Sequence, residues 1–487
     1  MDLNRLDYKK IVLILALAYL VIRIPIIASV PLMQDESFYS VMIEEQISHL
    51  TTVVTLFNEP VGWKPPLFFW ISGFFVQFLR DLPIPIEAVY RIPNVLFGLV
   101  NTILVFFIFE KITKKKDEAF LMALAYLTIG INIHSELRVL TDTMCGTFIF
   151  AGVLCYINGL KDSKLFLLGG VCTFLAYFVK QHNAAIVPII AVAYFFQCDR
   201  KKLLTPLFLL SLAAFPLAII IEDMNFGFSA GGVTTVVAGN TLIKNLKWES
   251  VVASIIGIYP YAVVLLTLSV FGIWKSWKEN FAMSVWYLLM AFPLIAGTYM
   301  PFYFYSVVPP IAYFAIKYLS KDGHKTKMDK FFYVIYSIGL VLGLILGIMA
   351  HFQYQEAFQI QKNAGEFLAG KENVMIIGMY YPGVPAYKML EERRANGSWL
   401  DYGLIIPGNV TTQTLQAFVD NYWVENDRVE DANFRWAFVN PDRIYRKNTS
   451  VDHFDYICLL GNMTENVTVN GEMVYQEETI RVYKTGN

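Results

Sequence analysis

The distribution of apolar residues divides the chain into two parts. Up to about residue 351, apolar runs follow one another with short polar segments between them, and from there to Asn487 apolar and polar positions are mixed. Because a perpendicular membrane span needs about 20 apolar residues, this pattern predicts a polytopic helical membrane domain over 1–351 and a soluble domain over 352–487. About eleven crossings are predicted, near residues 10–30, 88–110, 118–133, 143–160, 165–179, 184–197, 203–221, 251–274, 281–298, 303–319 and 331–351.

Two segments between the first two crossings predict helices that lie along the outer membrane surface. The run LFFWISGFFVQFL after Lys64 is short for a span, and its crossing would place the Lys114–Lys116 cluster outside, against the positive-inside rule. The segment Asp35–Ser48 carries apolar residues at helical spacing with acids on the opposite face. We therefore expect both segments to be juxtamembrane helices on the outer face.

The tail predicts an α/β layer. Strand-like apolar runs (VMIIGMY, YGLIIPG, RWAFVNP and FDYICLL) alternate with helix-like stretches (AYKMLEERR and TLQAFVDNYW). No glycine-rich phosphate-binding fingerprint opens either helix-like stretch. The predicted fold class is thus a polytopic α-helical membrane protein with a carboxy-terminal α/β domain.

Charge determines the predicted orientation. The positive-inside rule places the basic clusters in the cytoplasm, namely those at Arg5–Lys10, 111–116, 200–202, 275–278 and 317–330. With an odd number of crossings, the amino terminus is then cytoplasmic and the tail extracellular. N-x-S/T sequons agree with this, since all of them lie in the tail, at Asn396, Asn409, Asn448, Asn462 and Asn466.

Overall composition excludes several classes of function. The chain is 56% apolar and 16% charged, and its net charge of −1 gives no electrostatic basis for binding nucleic acid. Its five cysteines form no CxxC pair and no metal-ligand spacing, so a disulfide framework is not expected.

An acidic pair in the first outer loop is the main candidate for catalysis. Asp35 and Glu36 follow the first predicted crossing directly, where ionisable groups are costly to hold and often functional. A capping role is the alternative, since Asp suits a helix N-cap and Glu suits a first helical turn. Tyr39 is a candidate substrate contact on the same helix, or an interfacial aromatic residue.

Cationic and acidic residues elsewhere on the predicted outer face are candidates for binding phosphate. Lys64 precedes two prolines, which fix its backbone position and suit it to hold an anionic lipid phosphate; snorkelling to lipid headgroups is the alternative. Arg91 lies at the outer entrance of the second crossing, and a snorkelling end anchor is the favoured interpretation of this residue alone. The next outer loop contributes Arg138 and Asp142, and Asp142 is alternatively a helix cap. For the Lys180–Asn183 cluster, ordinary loop polarity is favoured.

The order of these segments resembles the GT-C glycosyltransferases that use lipid-carrier donors. DESFY, KPPLFFW, RIPN at the start of a crossing, an acid in the second outer loop and YFYSVVPP near residue 305 are similar to the lipid A aminoarabinose transferases and the protein O-mannosyltransferases. This resemblance covers roughly residues 10–320. It implies a polyprenyl-phosphate sugar donor, a catalytic Asp35, a phosphate-facing Lys64 and a supporting Asp142. Trp63 is a departure, because the lipid A enzymes tend to have an acid there.

The chemistry of such a reaction fits these residue types. A base is needed for the acceptor hydroxyl, and positive charge is needed for the departing phosphate. Asp35 is expected to be the base, and Lys64 with Arg138 or Arg91 is expected to bind the phosphate, without a metal or other cofactor. Expected partners are the lipid-linked donor, membrane lipid and a glycan, lipid or protein acceptor.

Two other function classes fit the sequence less well. A flippase or exporter of lipid-linked glycans would carry charges along a path inside its spans. An oligosaccharyltransferase would carry a metal-binding DxD motif and a WWD-like motif in its tail, and neither is found.

Overall fold

The computed structural model describes most of the chain. The described residues are 7–49, 54–56, 59–60, 65–226, 248–289, 301–320, 327–372, 374–377, 383–396, 405–406, 454–461 and 469–486. The candidate phosphate ligand Lys64 lies outside them, as do four of the five sequon asparagines.

Helices make up most of the described chain, as the apolar runs predict. In chain order they are α1 Tyr8–Arg23, α2 Gln34–His49, α3 Leu67–Leu79, α4 Ile86–Thr113, α5 Lys116–Thr128, α6 Gly130–Glu136, α7 Thr141–Asn158, α8 Leu165–Val179, α9 Gln181–Ala184, α10 Ile186–Cys198, α11 Pro206–Leu212, α12 Ala214–Phe226, α13 Trp248–Ser276, α14 Phe281–Leu288, α15 Val308–Ser320, α16 Lys327–Phe352, α17 Gln355–Leu368 and α18 Gly383–Asn396. Short 3₁₀ helices cover Ile24–Ile26, Arg200–Leu204 and Pro301–Val307.

Several helices have the length or composition of membrane spans. Within the described residues, Ile86–Thr113 and Tyr333–Leu368 are long and apolar enough to cross a membrane. A third candidate consists of α5 and α6, which meet at a bend of 59°. The shorter apolar helices are Leu67–Leu79, Leu165–Val179, Ile186–Cys198 and Pro206–Glu222. The total of about eleven crossings stays a prediction.

The bend between α5 and α6 positions the loop that carries several candidate residues. Ile129 adopts an extended conformation between the two helices. Gly130 then packs closely against α13, because a Cβ atom at this position would lie 2.8 Å from the carbonyl oxygen of Tyr261. The glycine therefore allows α6 to turn away from the α5 axis and lead into the loop before α7.

The chain divides into two compact units. The first unit contains residues 1–27, 62–68 and 91–353, and the second contains residues 28–61, 69–90 and 354–487. The second unit therefore includes α2, which carries the acidic pair, together with the tail. The predicted functional boundary between 1–351 and 352–487 stays a prediction.

The described part of the tail contains a mixed five-stranded sheet. Its strands are β3 Val374–Ile377, β4 Ile405–Ile406, β5 Tyr456–Leu460, β6 Glu472–Glu477 and β7 Ile480–Lys484, and a separate pair is formed by β1 Thr55–Leu56 and β2 Glu59–Pro60. The sheet order is β4-β3-β5-β7-β6, with β3 parallel to both of its neighbours and β7 antiparallel to both of its own.

Three of the four strand-like runs contain a strand, namely β3, β4 and β5, and AYKMLEERR lies in α18. RWAFVNP and TLQAFVDNYW lie outside the described residues. The β6–β7 hairpin was not predicted. The placement of this domain outside the membrane stays a prediction.

Candidate functional site

The two residues of the acidic pair have different environments at the start of α2. Glu36 is 1% exposed, and its carboxylate accepts a hydrogen bond of 3.0 Å from the backbone N–H of Met33. Met33 precedes the helix and also accepts the first helical bond, from the N–H of Ser37 at 2.8 Å. This is the returning half of a capping box. The carboxylate of Asp35, in contrast, is exposed in the first turn.

These positions identify which residue of the pair takes the capping role. The capping role falls on Glu36, whose buried carboxylate is committed to the helix start. The helix begins at Gln34, one residue before Asp35, so Asp35 is not the N-cap. Asp35 is an exposed residue in the first turn, and the negative charge of both acids is favourable near the helix N-terminus.

Tyr39, one turn after Asp35, is a buried residue. Its ring is 9% exposed and packs edge-to-face against Phe69 of α3, with the ring centroids 5.8 Å apart. Packing within the second unit is therefore the role that the structure gives to this ring.

In the first unit, the loop between α6 and α7 is anchored to α4. The side-chain amide of Asn94 donates hydrogen bonds to the carbonyl oxygens of Arg138 and Leu140, at 2.5 and 2.8 Å. Arg138 itself is half-buried. The amide of Asn94 therefore fixes the backbone that carries Arg138 and leads into α7.

Asp142 is paired with a lysine that sequence analysis assigned to ordinary loop polarity. The Lys180 ammonium lies 2.6 Å from Oδ1 of Asp142, with side-chain exposures of 11% and 2%. It also lies 4.4 Å from the ring centroid of Tyr303, in cation–π contact. Burial acts to lower the pKa of Lys180, but the surrounding groups, chiefly the carboxylate of Asp142 and the nearby Tyr303, together outweigh it, so the pKa is raised.

Gln181, the residue after Lys180, also forms a hydrogen bond to a buried acid. The side-chain amide of Gln181 donates to Glu222 at 2.6 Å, and the hydroxyl of Tyr177 donates to the same carboxylate. Glu222 is 4% exposed. The cluster that begins at Lys180 is thus part of a buried polar network. Two features of the sequence could have indicated the Lys180–Asp142 pair. Lys180 stands at the end of one apolar run, and Asp142 stands at the start of another.

A second buried ion pair joins α1 to α6. Arg23 Nη2 lies 2.7 Å from Glu136 Oε2, and both side chains are fully buried. Glu136 also accepts a hydrogen bond of 2.8 Å from the hydroxyl of Tyr305, in the YFYSVVPP segment. Gly98 of α4 provides the space, because a Cβ there would lie 2.7 Å from Cδ of Glu136. Sequence analysis did not single out Arg23, although a charge inside an apolar run is itself a functional signal.

Arg91 is a structural anchor in this structure. Its guanidinium is fully buried, and Nη1 donates to the carbonyl oxygen of Ile27 at 2.9 Å. The residue is therefore buried among protein atoms, which differs from the expected snorkelling end anchor. It connects α4 to the segment after α1.

The site residues proposed from the sequence fall into two groups. Asp35, Glu36 and Tyr39 belong to the second unit, and Arg91, Arg138 and Asp142 belong to the first. Among the described residues, no three His, Cys, Asp or Glu side chains are grouped as ligands for a metal ion. The expectation of metal-independent chemistry stays a prediction.

Comparisons with known proteins agree with the resemblance. A family model described as dolichyl-phosphate-mannose-protein mannosyltransferase matches residues 63–222. The fold is similar to that of ArnT from Cupriavidus metallidurans bound to undecaprenyl phosphate, with a TM-score of 0.67 and 12% identity over 98% of both chains. A comparison with curated protein sequences found no match.

A second solved structure has the same fold over part of its length. The Archaeoglobus fulgidus oligosaccharyltransferase, tethered to an acceptor peptide, has a TM-score of 0.54 and 11% identity over 82% of this chain and 64% of its own. The chain therefore resembles the GT-C glycosyltransferases in fold along almost its whole length, and over residues 63–222 it matches the sequence pattern of the dolichyl-phosphate-mannose-protein mannosyltransferases.

Proposed function

We propose that this protein is a glycosyltransferase that moves a sugar from a polyprenyl-phosphate donor to an acceptor hydroxyl at the outer face of the membrane. The observation that carries the proposal is the fold similarity over 98% of both chains to ArnT, whose structure contains undecaprenyl phosphate. The exposed carboxylate of Asp35 supports it, because it provides an accessible base at the start of α2.

The proposed reaction is a single displacement at the anomeric carbon. The acceptor oxygen forms a bond to this carbon while the bond from the carbon to the phosphate oxygen breaks. Asp35 takes the proton of the acceptor hydroxyl, and the departing group is the polyprenyl phosphate. The configuration at the anomeric carbon is therefore inverted. A positioned base of this kind typically contributes about 10²–10⁴-fold in rate.

Positive charge is required where the phosphate departs. We assign this role to Lys64, with the half-buried Arg138 in support, and assign Asp142 a supporting role; Arg91 is fully buried and hydrogen-bonded to the Ile27 carbonyl, so it is not assigned to the phosphate. Because Asp142 is paired with the charged Lys180, its contribution is to hold a second cation in place within the first unit. No metal is required in this scheme, because lysine and arginine neutralise the leaving phosphate.

A panel of radiolabelled polyprenyl-phosphate sugars, supplied to the purified protein in lipid nanodiscs with membrane extracts as acceptors, tests the proposal. Label should move from the lipid donor to a new product, and the Asp35→Asn variant should not form this product. Movement of intact donor across a vesicle bilayer without a covalent product would instead indicate a flippase. Label on the asparagine side chain of a peptide would indicate an oligosaccharyltransferase.

A further inference from the structure

A tyrosine of the tail contacts the backbone immediately before α2. The hydroxyl of Tyr387, on α18, accepts a hydrogen bond of 2.6 Å from the backbone N–H of Leu32. The same hydroxyl donates to Oε1 of Glu87 at 2.8 Å, and Lys362 of α17 donates to that oxygen at 2.7 Å. All four residues belong to the second unit. A chain of hydrogen bonds, here called the relay, therefore runs from Lys362 through Glu87 and Tyr387 to the backbone just before α2.

The relay is buried and held in a fixed geometry. Tyr387 is fully buried, and Glu87 is 1% exposed. Helices α17 and α18 approach closely at Gly365, where a Cβ would lie 2.6 Å from Cβ of Tyr387. Gln361, one turn earlier on α17, accepts a hydrogen bond of 3.0 Å from the N–H of Gly383 at the start of α18. The phenol ring is therefore fixed by packing as well as by its hydroxyl.

The second half of α2 also contacts helix α18 of the tail. The buried carboxylate of Glu44 accepts a hydrogen bond of 2.7 Å from Tyr90 and lies 3.4 Å from Nε of Arg393 on α18. Tyr387 thus contacts the backbone just before α2, and Arg393 contacts α2 itself. Such double attachment fixes the direction of a helix as well as its position.

We propose that Tyr387 is a positioning residue for Asp35, through which the tail sets the geometry of the catalytic base. This inference rests on the proposed function. The hydroxyl orders the Leu32 N–H, and the next residue, Met33, is the N-cap that Glu36 closes. The hydrogen bond from Leu32 to Tyr387 therefore fixes the position of the first turn of α2. The position of the Asp35 carboxylate depends on that turn. Misplacement of a catalytic group by about 1 Å costs about 10²-fold in rate.

The test compares two tyrosine-to-phenylalanine variants of the tail. Tyr387→Phe removes the relay hydroxyl and keeps the ring. Tyr475→Phe is the matched control, since Tyr475 also donates to a glutamate of the tail, Glu477, and its ring stacks on Phe367. Each variant is examined as full-length protein in nanodiscs, by hydrogen–deuterium exchange of peptides covering residues 30–40 and by kcat and KM for sugar transfer.

Tyr387→Phe should speed exchange at the start of α2 and lower kcat by about 10–100-fold, with KM for the donor changed less than about threefold, because the base acts in the chemical step. Tyr475→Phe should leave both measurements as in the wild type. Unchanged exchange over residues 30–40 in Tyr387→Phe would overturn the inference, as would faster exchange with normal kcat.

The exchange measurement also separates the two proposals. If the wild type transfers no sugar from any donor, the proposed function fails and the catalytic part of the inference fails with it. Faster exchange in Tyr387→Phe would then still establish the structural contact. If the wild type and Asp35→Asn behave as expected but Tyr387→Phe is normal in both assays, only the inference about the tail fails.

Discussion

Lys180 and Asp142 form a buried ion pair across 38 positions of the chain, with 2.6 Å between Nζ and Oδ1. The pair joins the residue after α8 to the first turn of α7, and it belongs entirely to the first unit. A buried charge without its partner is costly, whereas two matched charges compensate each other. The acid that the family resemblance marks as functional is therefore also a structural element.

Removing one partner of this pair should cost more stability than removing both. Asp142→Asn and Lys180→Met should each lower the free energy of unfolding by about 3–5 kcal/mol, because each leaves one uncompensated buried charge. The double variant should recover a large part of that loss. Thermal unfolding of the three variants in one detergent checks this, and equal, additive losses would contradict coupling between the two side chains.

The stability that the Lys180–Asp142 pair contributes should not change with pH through the neutral range. The pKa of Lys180 is raised in the folded protein. A raised lysine pKa contributes stability that is fully present below the unfolded value of about 10.4 and is lost as the pH rises through the folded value. The stability difference between the wild type and Lys180→Met should therefore be constant from pH 7 to 9 and should shrink only above about pH 10.4. A difference that disappears by pH 8 would show that the lysine is not charged as described.

Adjacent acids of α2 should respond differently to substitution. Asp35→Asn should lower transfer by about 10²-fold or more with little change in stability, since its carboxylate is exposed. Glu36→Ala should lower stability by about 0.5–2 kcal/mol, as for other lost caps, because its carboxylate accepts the Met33 N–H. Activity and thermal unfolding of both variants provide the measurement. Normal turnover in Asp35→Asn would rule it out as the base.

Lys64 should act on donor binding without the help of a metal. Lys64→Ala should raise the donor KM and slow transfer, because an ammonium held before two prolines neutralises the departing phosphate. The purified wild type should retain its activity in EDTA. Inactivation by the chelator with recovery on addition of manganese would show that a divalent ion takes this role.

The turn after α3 should be accessible from outside the cell. Leu67–Leu79 has 13 residues and is too short to span comfortably. The Asp81 side chain just beyond it is 80% exposed. A cysteine at position 81 in a variant that lacks the native cysteines should react with an impermeant thiol reagent on intact cells. Labelling that requires permeabilisation would place the turn in the cytoplasm and remove the basis for an outer-face reaction.

Local pattern was sufficient to predict the helices. The apolar run near 88–110 corresponds to α4 at Ile86–Thr113, and the segment Asp35–Ser48 corresponds to α2 at Gln34–His49. The amphipathic character expected of α2 was wrong, because its acids Glu36, Glu44 and Glu45 are buried rather than on an exposed face. Both predictions depend on spacing within one helix, which neighbouring residues determine. Short strands such as β6 and β7 were missed, because their pairing depends on contacts outside the segment.

Partners of the candidate site residues could not be predicted in the same way. Whether Asp35 or Glu36 closes the helix start depends on a register difference of one residue, and the local sequence permits both. Lys180 was assigned to a loop because its partner lies 38 positions away, and Tyr387 lies 355 positions from Leu32. Such contacts are products of tertiary packing. The residue types indicate the chemistry, and the packing shows that Glu36 is the acid that accepts the Met33 N–H.

The pairing of Arg23 with Glu136 has a consequence for synthesis of the chain. Arg23 is made 113 positions before its partner, and ribosomes add about 5–20 residues per second. At these rates the first apolar helix is therefore made roughly 6–23 seconds before Glu136 is available to pair with Arg23. Because Arg23 is the last residue of α1, its long side chain can reach water or lipid headgroups during that interval. The buried Arg23–Glu136 pair can thus form only after α6 has been synthesised, so the final packing of α1 is a late event in the folding of the first unit.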